Sequence, residues 1–196
     1  MIRLLCLVFT VVALTFAGAC AGQPESIFMV PRLTGIDTAR GPAPAYRDAI
    51  TVGPVTGGKD TTILHPPYVS NTDLRDALVQ TLIRAHLARA ENGRFRLDAV
   101  LQKLDQPFIA LDITVTATIA YKLTEVATGT VVYDKALVTS AKATIIEHGV
   151  AYERLRLANT RAVSVNLQRL VEELYALPDL GVSSAFLRSE PLDRTL

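Results

Sequence analysis

The alternation of hydrophobic and polar positions is most regular between residues 111 and 123. Apolar side chains occupy every second position there, while threonines and charged residues fill most of the places between them. The apolar set is Leu111, Ile113, Val115, Ala117, Ile119, Tyr121 and Leu123. Because successive side chains of a strand point to opposite faces, this period predicts a long strand with one covered face and one wetter face.

Further strands are predicted on either side of this one. Phe95–Leu101 also alternates, and Ile50–Val55 is a short apolar segment ended by the turn-forming Gly53-Pro54 and Gly57-Gly58. Thr128-Gly129 predicts a hairpin turn, after which a last strand begins at Val131.

Two segments place apolar residues at helical spacing. The first opens at Ser70 with Asp73 as a capping box, and Asn92-Gly93 is expected to close it. The second runs from about Ala151 to Ala176 and is stopped by Pro178. Their predicted apolar faces are Leu74, Ala77, Leu78, Leu82, Ala85 and Ala88 in the first, and Leu155, Ala158, Ala162, Val165, Leu170 and Leu174 in the second. The order β-α-β-β-β-α predicts an α+β fold, with a mostly antiparallel sheet covered on one face by two helices.

The N-terminus is typical of a secretory signal peptide. Leu4–Ala17 carries no charge and is shorter than the about 20 apolar residues that span a bilayer. Ala17-Gly18-Ala19 offers an ordinary cleavage site after Ala19, which would release a soluble periplasmic protein. The same residues followed by Cys20 resemble the lipobox of bacterial lipoproteins, whose cysteine receives acyl chains such as palmitate.

Cysteine usage favours the lipoprotein interpretation. The other cysteine, Cys6, lies in the part that cleavage would remove, so Cys20 would be a lone thiol with no partner for a disulfide. A single thiol at the first residue after the cleavage site is expected to be the lipidation site. Ala21 follows it, and not the Asp that resembles an inner-membrane retention signal. The expected location is therefore the periplasmic face of the bacterial outer membrane.

The resulting organisation has four parts. We expect a signal peptide over residues 1–19 and a lipidated tether with a loosely packed leading segment over 20–47. A single α+β domain over 48–177 and a C-terminal tail over 178–196 follow. Lys and Arg number 20 against 19 Asp and Glu, and Trp is absent. This balance predicts neither a basic surface for nucleic acid nor a base-stacking platform.

One short motif suggests a nucleotide site, but its context argues against it. Gly53–Lys59 matches the first positions of a phosphate-binding P-loop directly after a strand. Asp60 stands where a Ser or Thr hydroxyl should reach the metal, and the next helix begins only near residue 71. We therefore expect a connecting loop, with no nucleotide and no other cofactor.

No set of residues predicts a catalytic or metal site. His65 precedes a proline, His86 is expected within the first helix and His148 stands beside Gly149, so none has the spacing of metal ligands. Asp105 and Asp112 flank one strand connection, where solvated carboxylates are common. The prediction is no catalytic residue and no metal.

The remaining candidate is the uncovered face of the sheet. Thr114, Thr116 and Thr118 lie on this face of the long strand, between Asp112 and Lys122. They form either a solvated threonine surface or a docking surface for a partner, and an edge strand could alternatively accept an added strand.

The element order on an exported chain resembles a group of small bacterial envelope lipoproteins. The likeness covers about residues 48–176 and includes the hairpin Tyr121-Lys122-Leu123 to Gly129–Asp134 and the helix start Leu155–Asn159. This group includes uncharacterised outer-membrane lipoproteins and the accessory lipoproteins of lipid-transport and lipopolysaccharide-assembly systems. The resemblance implies a membrane-anchored, non-catalytic accessory or binding subunit with an envelope protein partner. The alternatives are an envelope enzyme acting on lipid or glycan, and a soluble periplasmic binding protein.

Replacing the thiol tests the predicted anchor. We expect the wild-type chain to partition into detergent and Cys20→Ser to lose that partitioning, because acyl chains contribute about 0.8 kcal/mol per buried CH₂. Detergent-phase partitioning of whole cells measures this. If wild type and variant both behave as water-soluble periplasmic proteins, Cys20 is not acylated.

Overall fold

The computed structural model describes residues 25–61, 66–107 and 110–180. Its elements are α1 Ser26–Met29, β1 Ile50–Thr56, α2 Asn71–Arg84, β2 Phe95–Asp105, β3 Ile113–Glu125, β4 Val131–Ala143 and α3 Ala151–Tyr175, with a 3₁₀ turn at Pro44–Tyr46. The predicted signal peptide, Cys20 and the tail from residue 181 onward lie outside the described residues. No helix among the described residues is long and apolar enough to cross a membrane.

The sheet has the strand order β1-β2-β3-β4. β1 and β2 are parallel and are joined by the crossover that contains α2, as a parallel pair requires. β2, β3 and β4 pair antiparallel along the chain. The predicted β-α-β-β-β-α order and mostly antiparallel sheet are therefore confirmed.

The period-two pattern of β3 produces the covered face of the sheet. Ile113, Val115, Ala117, Ile119, Tyr121 and Leu123 are all buried. They pack against α2 and α3 together with Phe95 and Leu97 of β2, so both helices lie on this one face. Leu111 departs from the prediction because it precedes the strand, with its side chain 73% exposed.

The helix boundaries also differ from the sequence pattern. α2 ends at Arg84, well before Asn92-Gly93, so its predicted end was wrong. His86 lies outside the helix at φ 51°, in the left-handed region that terminates helices. No glycine marks this end, which is why spacing alone did not locate it. In α3, Val165 is 47% exposed and does not belong to the buried face.

Residues 25–47 are more tightly packed than the sequence suggests. Met29, Leu33 and Tyr46 are buried in the main core, and α1 contacts both α2 and α3. Proline-rich composition suggested a loose segment, but these three apolar side chains fix it to the helices. The packed domain thus begins by Glu25, only five residues after Cys20.

Two buried amides attach α3 to the rest of the molecule. Asn166 accepts a hydrogen bond from the Tyr121 hydroxyl at 2.9 Å and donates to the Leu137 carbonyl at 2.9 Å and to Thr139 Oγ1 at 3.0 Å. Asn166 is fully buried, and without it the Tyr121 hydroxyl and the Leu137 carbonyl would lose this partner, whereas the Thr139 hydroxyl also donates to the Ala162 carbonyl at 3.0 Å. This network ties the middle of α3 to β3 and β4.

The second amide, Asn159, lies two helical turns earlier. It donates to the Pro67 carbonyl at 2.8 Å, and Gln106 donates to Asn159 Oδ1 at 2.9 Å and to the same Pro67 carbonyl at 2.8 Å. The loop before α2 and the end of β2 therefore meet on α3. Residues seven apart lie on the same face of a helix, so both amides point into the core.

We expect Asn166→Ala to destabilise the protein by about 2–4 kcal/mol. The change leaves the Tyr121 hydroxyl and the Leu137 carbonyl buried without partners, and it opens a cavity. Arg169→Ala is the control on the same helix and should cost less than about 1 kcal/mol, because its ion pairs with Glu172 and Glu173 are exposed.

Urea unfolding measures both free energies. In a double-mutant cycle Tyr121→Phe should couple to Asn166→Ala by about 1 kcal/mol, since the pair shares one hydrogen bond. Equal losses for Asn166→Ala and Arg169→Ala would contradict the assigned role.

Candidate docking face

Thr114, Thr116 and Thr118 lie together on the face of β3 that the helices leave uncovered. Thr114 is exposed, and Thr116 and Thr118 are partly exposed. The Thr116 hydroxyl lies 2.7 Å from the Ser140 hydroxyl on β4, so these two side chains form a polar pair on the surface. The structure thus brings the three predicted residues into one flat surface.

Neighbouring strands extend this surface with residues that the sequence interpretation missed. Strand register places Ala120 between Val100 of β2 and Ala136 of β4, and Thr118 beside Val138. Val100 is 41% exposed and Val138 is 64% exposed. The same register places Lys103 of β2 beside Thr118 and Asp105 beside Thr116, and both are exposed. We define the open face as Val100, Lys103, Asp105, Thr114, Thr116, Thr118, Ala120, Ala136, Val138 and Ser140. The apolar residues of β4 occur at both odd and even positions, so the register was needed to find Val138.

On β3 and β4 the middle of the open face carries no charge, and on β2 it carries the Lys103–Asp105 ion pair, whose charged atoms are 2.7 Å apart. The ends of the face carry further charges of both signs. At one end Lys122 of β3 lies between Asp98 and Asp134 on its neighbouring strands, and Asp98 also pairs with Arg96 at 3.0 Å. At the other end Lys142 pairs with Asp112 at 2.7 Å. Hydrogen bonds from Lys142 and from the Ile145 amide hold the pKa of Asp112 below its usual value. Both carboxylates that were candidates for catalysis form an ion pair with a lysine at 2.7 Å, Asp105 with Lys103 and Asp112 with Lys142.

The glycine-rich loop performs a packing role. Gly57 has φ +85°, and a Cβ there would lie 2.2 Å from the Leu101 carbonyl oxygen, so only glycine fits this close approach. The Gly58 amide donates to the Asn71 side chain at 2.8 Å. Lys59 places its ammonium 5.3 Å from the centre of the Tyr68 ring. These contacts hold the loop against the beginning of α2.

The other titratable side chains of interest are Tyr133 and the three histidines. Burial raises the pKa of Tyr133 to about 12, so its phenol stays protonated at physiological pH. His86 and His148 are both exposed, and His65 lies outside the described residues. The described part of the chain contains no group of three His, Cys, Asp or Glu side chains placed to hold a metal ion.

A groove of about 610 Å³ lies between the leading segment and α3. Phe28, Val30 and Val165 give it an apolar lining, and Arg156 contributes a charge. Arg156 pairs with Glu153 at 2.8 Å and with Glu25 at 3.6 Å, so its charge is already compensated. Burial raises the pKa of Glu25, which shows that this carboxylate is partly shielded from water.

Comparison with known proteins identifies a solved bacterial structure with the same fold. No protein-family profile matches this chain, and no curated protein does. A solved structure of a DUF330 family protein from Xanthomonas campestris aligns over 67% of this chain and 87% of its own, with 12% identity and a TM-score of 0.50. The PelC dodecamer from Paraburkholderia phytofirmans aligns over 69% of this chain and 94% of its own, with 15% identity and a TM-score of 0.47.

A minor lipoprotein from Acinetobacter baumannii is also among the structural neighbours. It aligns over 66% of this chain and 92% of its own, with 9% identity and a TM-score of 0.42. The likeness to the DUF330 protein shows that the described domain has the fold of a known bacterial protein.

Paired valine substitutions test whether the face is open. We expect Val138→Ala to change the free energy of unfolding by less than about 0.5 kcal/mol, because half or more of this side chain is already in water. Val115→Ala makes the same change on the covered face of β3 and should cost roughly 2 kcal/mol, because Val115 is fully buried. Urea unfolding compares the two, and equal losses would mean that Val138 is covered.

Proposed function

We propose that this protein is a lipid-anchored lipoprotein of the bacterial outer membrane, facing the periplasm, and a non-catalytic accessory or binding subunit of an envelope assembly or transport system. The observation that carries the binding role is the open face, where β3 and β4 present threonines, a serine and small apolar residues beside the compensated Lys103–Asp105 pair. The Thr116 and Ser140 hydroxyls already lie 2.7 Å apart, so covering this pair costs less than burying unpaired hydroxyls would.

The anchor in this proposal rests on the sequence around Cys20. A signal-like apolar run, small residues before the cleavage point and a lone mature thiol all favour acylation. Ala21 after the cysteine favours the outer membrane. The packed domain begins by Glu25, so an acylated Cys20 would hold the domain close to the bilayer.

The edges of the sheet favour face docking over strand addition. On β4 the carbonyls of Leu137 and Lys142 already accept hydrogen bonds from Asn166 and Arg161 of α3. On β1 the Ile50 carbonyl accepts from the Arg89 amide, and Pro54 has no amide hydrogen to donate. An added strand would have to displace these contacts, whereas the open face needs no rearrangement.

The extent of the open face also limits the partner. Three strands about 4.8 Å apart, each giving three or four outward residues, present roughly 400 Å². A typical stable interface buries about 800 Å² per partner. A protein that docks here would therefore also cover bordering ion pairs such as Lys142–Asp112.

Site-specific photocrosslinking in intact cells tests this role. We expect a crosslinker at Val138 to capture one envelope protein, and Thr116→Asp to abolish the capture by introducing a charge at the centre of the face. A crosslinker at Ile83 is the matched control, because Ile83 is equally apolar and exposed but lies on α2, on the other side of the sheet.

Two results would contradict the proposal. Capture of the same proteins from Ile83 and Val138 would mean that the open face has no specific partner. Turnover of a lipid or glycan by the purified protein would replace the accessory role with an enzymatic one.

A further inference from the structure

The end of the fold where α3 begins presents apolar side chains to solvent. Ile146 is 94% exposed, Leu111 73% and Val150 63%, with Ile145 and Tyr152 beside them in the chain. We call these five residues the apolar tip. They come from the segment before β3, from the connection between β4 and α3 and, for Tyr152, from the first turn of α3. The first two segments meet because Asp112 accepts a hydrogen bond from the Ile145 amide at 3.2 Å.

The connection that carries Ile145 and Ile146 is held in place by its own polar groups. Glu147 accepts hydrogen bonds from the Thr144 amide at 2.8 Å and from the Thr144 hydroxyl at 3.1 Å. Arg161 pairs with the other Glu147 oxygen at 2.7 Å. These contacts lower the pKa of Glu147 to about 2.

Arg154 fixes the second half of the same connection. Its side chain is buried and donates to the carbonyls of His148 and Gly149, at 2.8 Å each. These contacts fix the loop with its two isoleucines exposed beside the exposed side chains of Glu147 and His148. Adjoining exposed apolar residues of this kind mark an interaction site.

The path of the leading segment places Glu25 near the end of α3 that carries the apolar tip. Gln168 donates to the Thr34 carbonyl at 3.1 Å, and Arg156 pairs with Glu25 at 3.6 Å. These two helix residues are twelve positions apart, about 18 Å along α3. Followed back from Thr34, the chain thus runs toward the beginning of α3 and reaches Glu25 there.

Chain length then limits the distance to the anchor. Arg156 lies five residues into α3, about 8 Å from its first residue. Four residues lie between Cys20 and Glu25, so the chain can span at most about 17 Å from one to the other. An acylated Cys20 would therefore keep the bilayer within a short distance of the end of the fold that carries the apolar tip.

We propose that the apolar tip rests in the interface of the same bilayer that holds the acyl chains of Cys20, as a second, non-covalent membrane contact. This inference rests on the proposed acylation. Tyr152 suits such a position, because its ring is apolar and its hydroxyl can remain in the headgroup region.

The contact is apolar and not electrostatic. The exposed charges nearest to the tip are paired with each other, Asp112 with Lys142 and Glu147 with Arg161, and the buried Arg154 is held by two backbone carbonyls. Attraction to anionic headgroups is therefore small, and the contact should depend little on salt or on anionic lipid. A basic membrane-binding patch would behave in the opposite way.

A nitroxide depth measurement tests the proposal. Full-length protein carrying Ile146→Cys is purified from the membranes of the expressing cells, spin-labelled and placed in phosphatidylethanolamine–phosphatidylglycerol vesicles. We expect the ratio of oxygen to nickel-chelate collision rates at residue 146 to be severalfold higher than the ratio at residue 126 of the same protein in the same vesicles. Val126→Cys is the matched control and should show the ratio of a water-exposed site.

Val126 suits this purpose because it is also an exposed apolar residue, 62% in water, in the turn after β3. β3 runs from the tip to that turn, so the two labels are about 40 Å apart. Ile146→Ser should also reduce the depth measured at a label on Val150, and raising the salt to 1 M should leave the ratio at residue 146 unchanged.

The outcomes separate this inference from the proposed function. A mass spectrum without acyl chains on Cys20 would overturn the anchor itself. An acylated, vesicle-bound protein whose residue 146 is as accessible to the nickel chelate as Val126 would overturn the tip contact alone. Protection of residue 146 only after an envelope protein is added would assign the tip to a protein partner and overturn the membrane contact.

Discussion

The hydrogen bonds of Asn166 are the interaction on which the arrangement of this fold depends. One amide side chain joins Tyr121 in the middle of β3 to the Leu137 carbonyl and Thr139 on β4. Apolar contacts between a helix and a sheet permit sliding, because one aliphatic surface resembles the next. An amide with several buried partners has one satisfactory position, since any shift leaves donors or acceptors without partners. Asn159 repeats this constraint two turns away, with Pro67 and Gln106.

The position of α3 decides which surfaces remain for other molecules. With both α2 and α3 on one side, none of the described helices lies over the second face of the sheet, and the carbonyls of Leu137 and Lys142 are already bound by α3. The same helix begins beneath the connection from β4, where Arg154 holds the carbonyls of His148 and Gly149. The open face and the apolar tip are thus both consequences of one helix placement.

The structural features that depend on local periodicity were predictable from the sequence. Alternation along β3 identified its covered face, and helical spacing identified Leu74, Ala77, Leu78 and Leu82 as buried. Features that depend on distant partners were not predictable in this way. An asparagine in a helix is usually exposed, so nothing local marked Asn166 as a core residue. His86 ends α2 in a left-handed conformation that glycine or asparagine would have signalled.

The two candidate surfaces also contain residues that local periodicity predicts and residues that only distant contacts bring together. Thr114, Thr116 and Thr118 were predictable because they alternate with buried residues of the same strand. Val100 and Val138 join them only through register with other strands, which includes an irregularity between Leu101 and Lys103. The apolar tip was less predictable still, because isolated isoleucines in a sequence give no indication of exposure. Its orientation follows from the partly exposed ion pair between Glu147 and Arg161, a contact between residues 14 positions apart.

The relative positions of the apolar tip and the open face limit how the protein can be oriented on a membrane. β3 runs the length of the sheet from the apolar tip to the turn at Val126, and α3 starts at the tip. If the tip meets the bilayer, the strands stand away from the membrane and the open face is directed sideways. A partner on that face would then lie beside this protein on the membrane surface, and not between it and the membrane. The anchor proposed at Cys20 favours this arrangement, because the four residues between it and Glu25 leave the domain little freedom to turn its face toward the lipid.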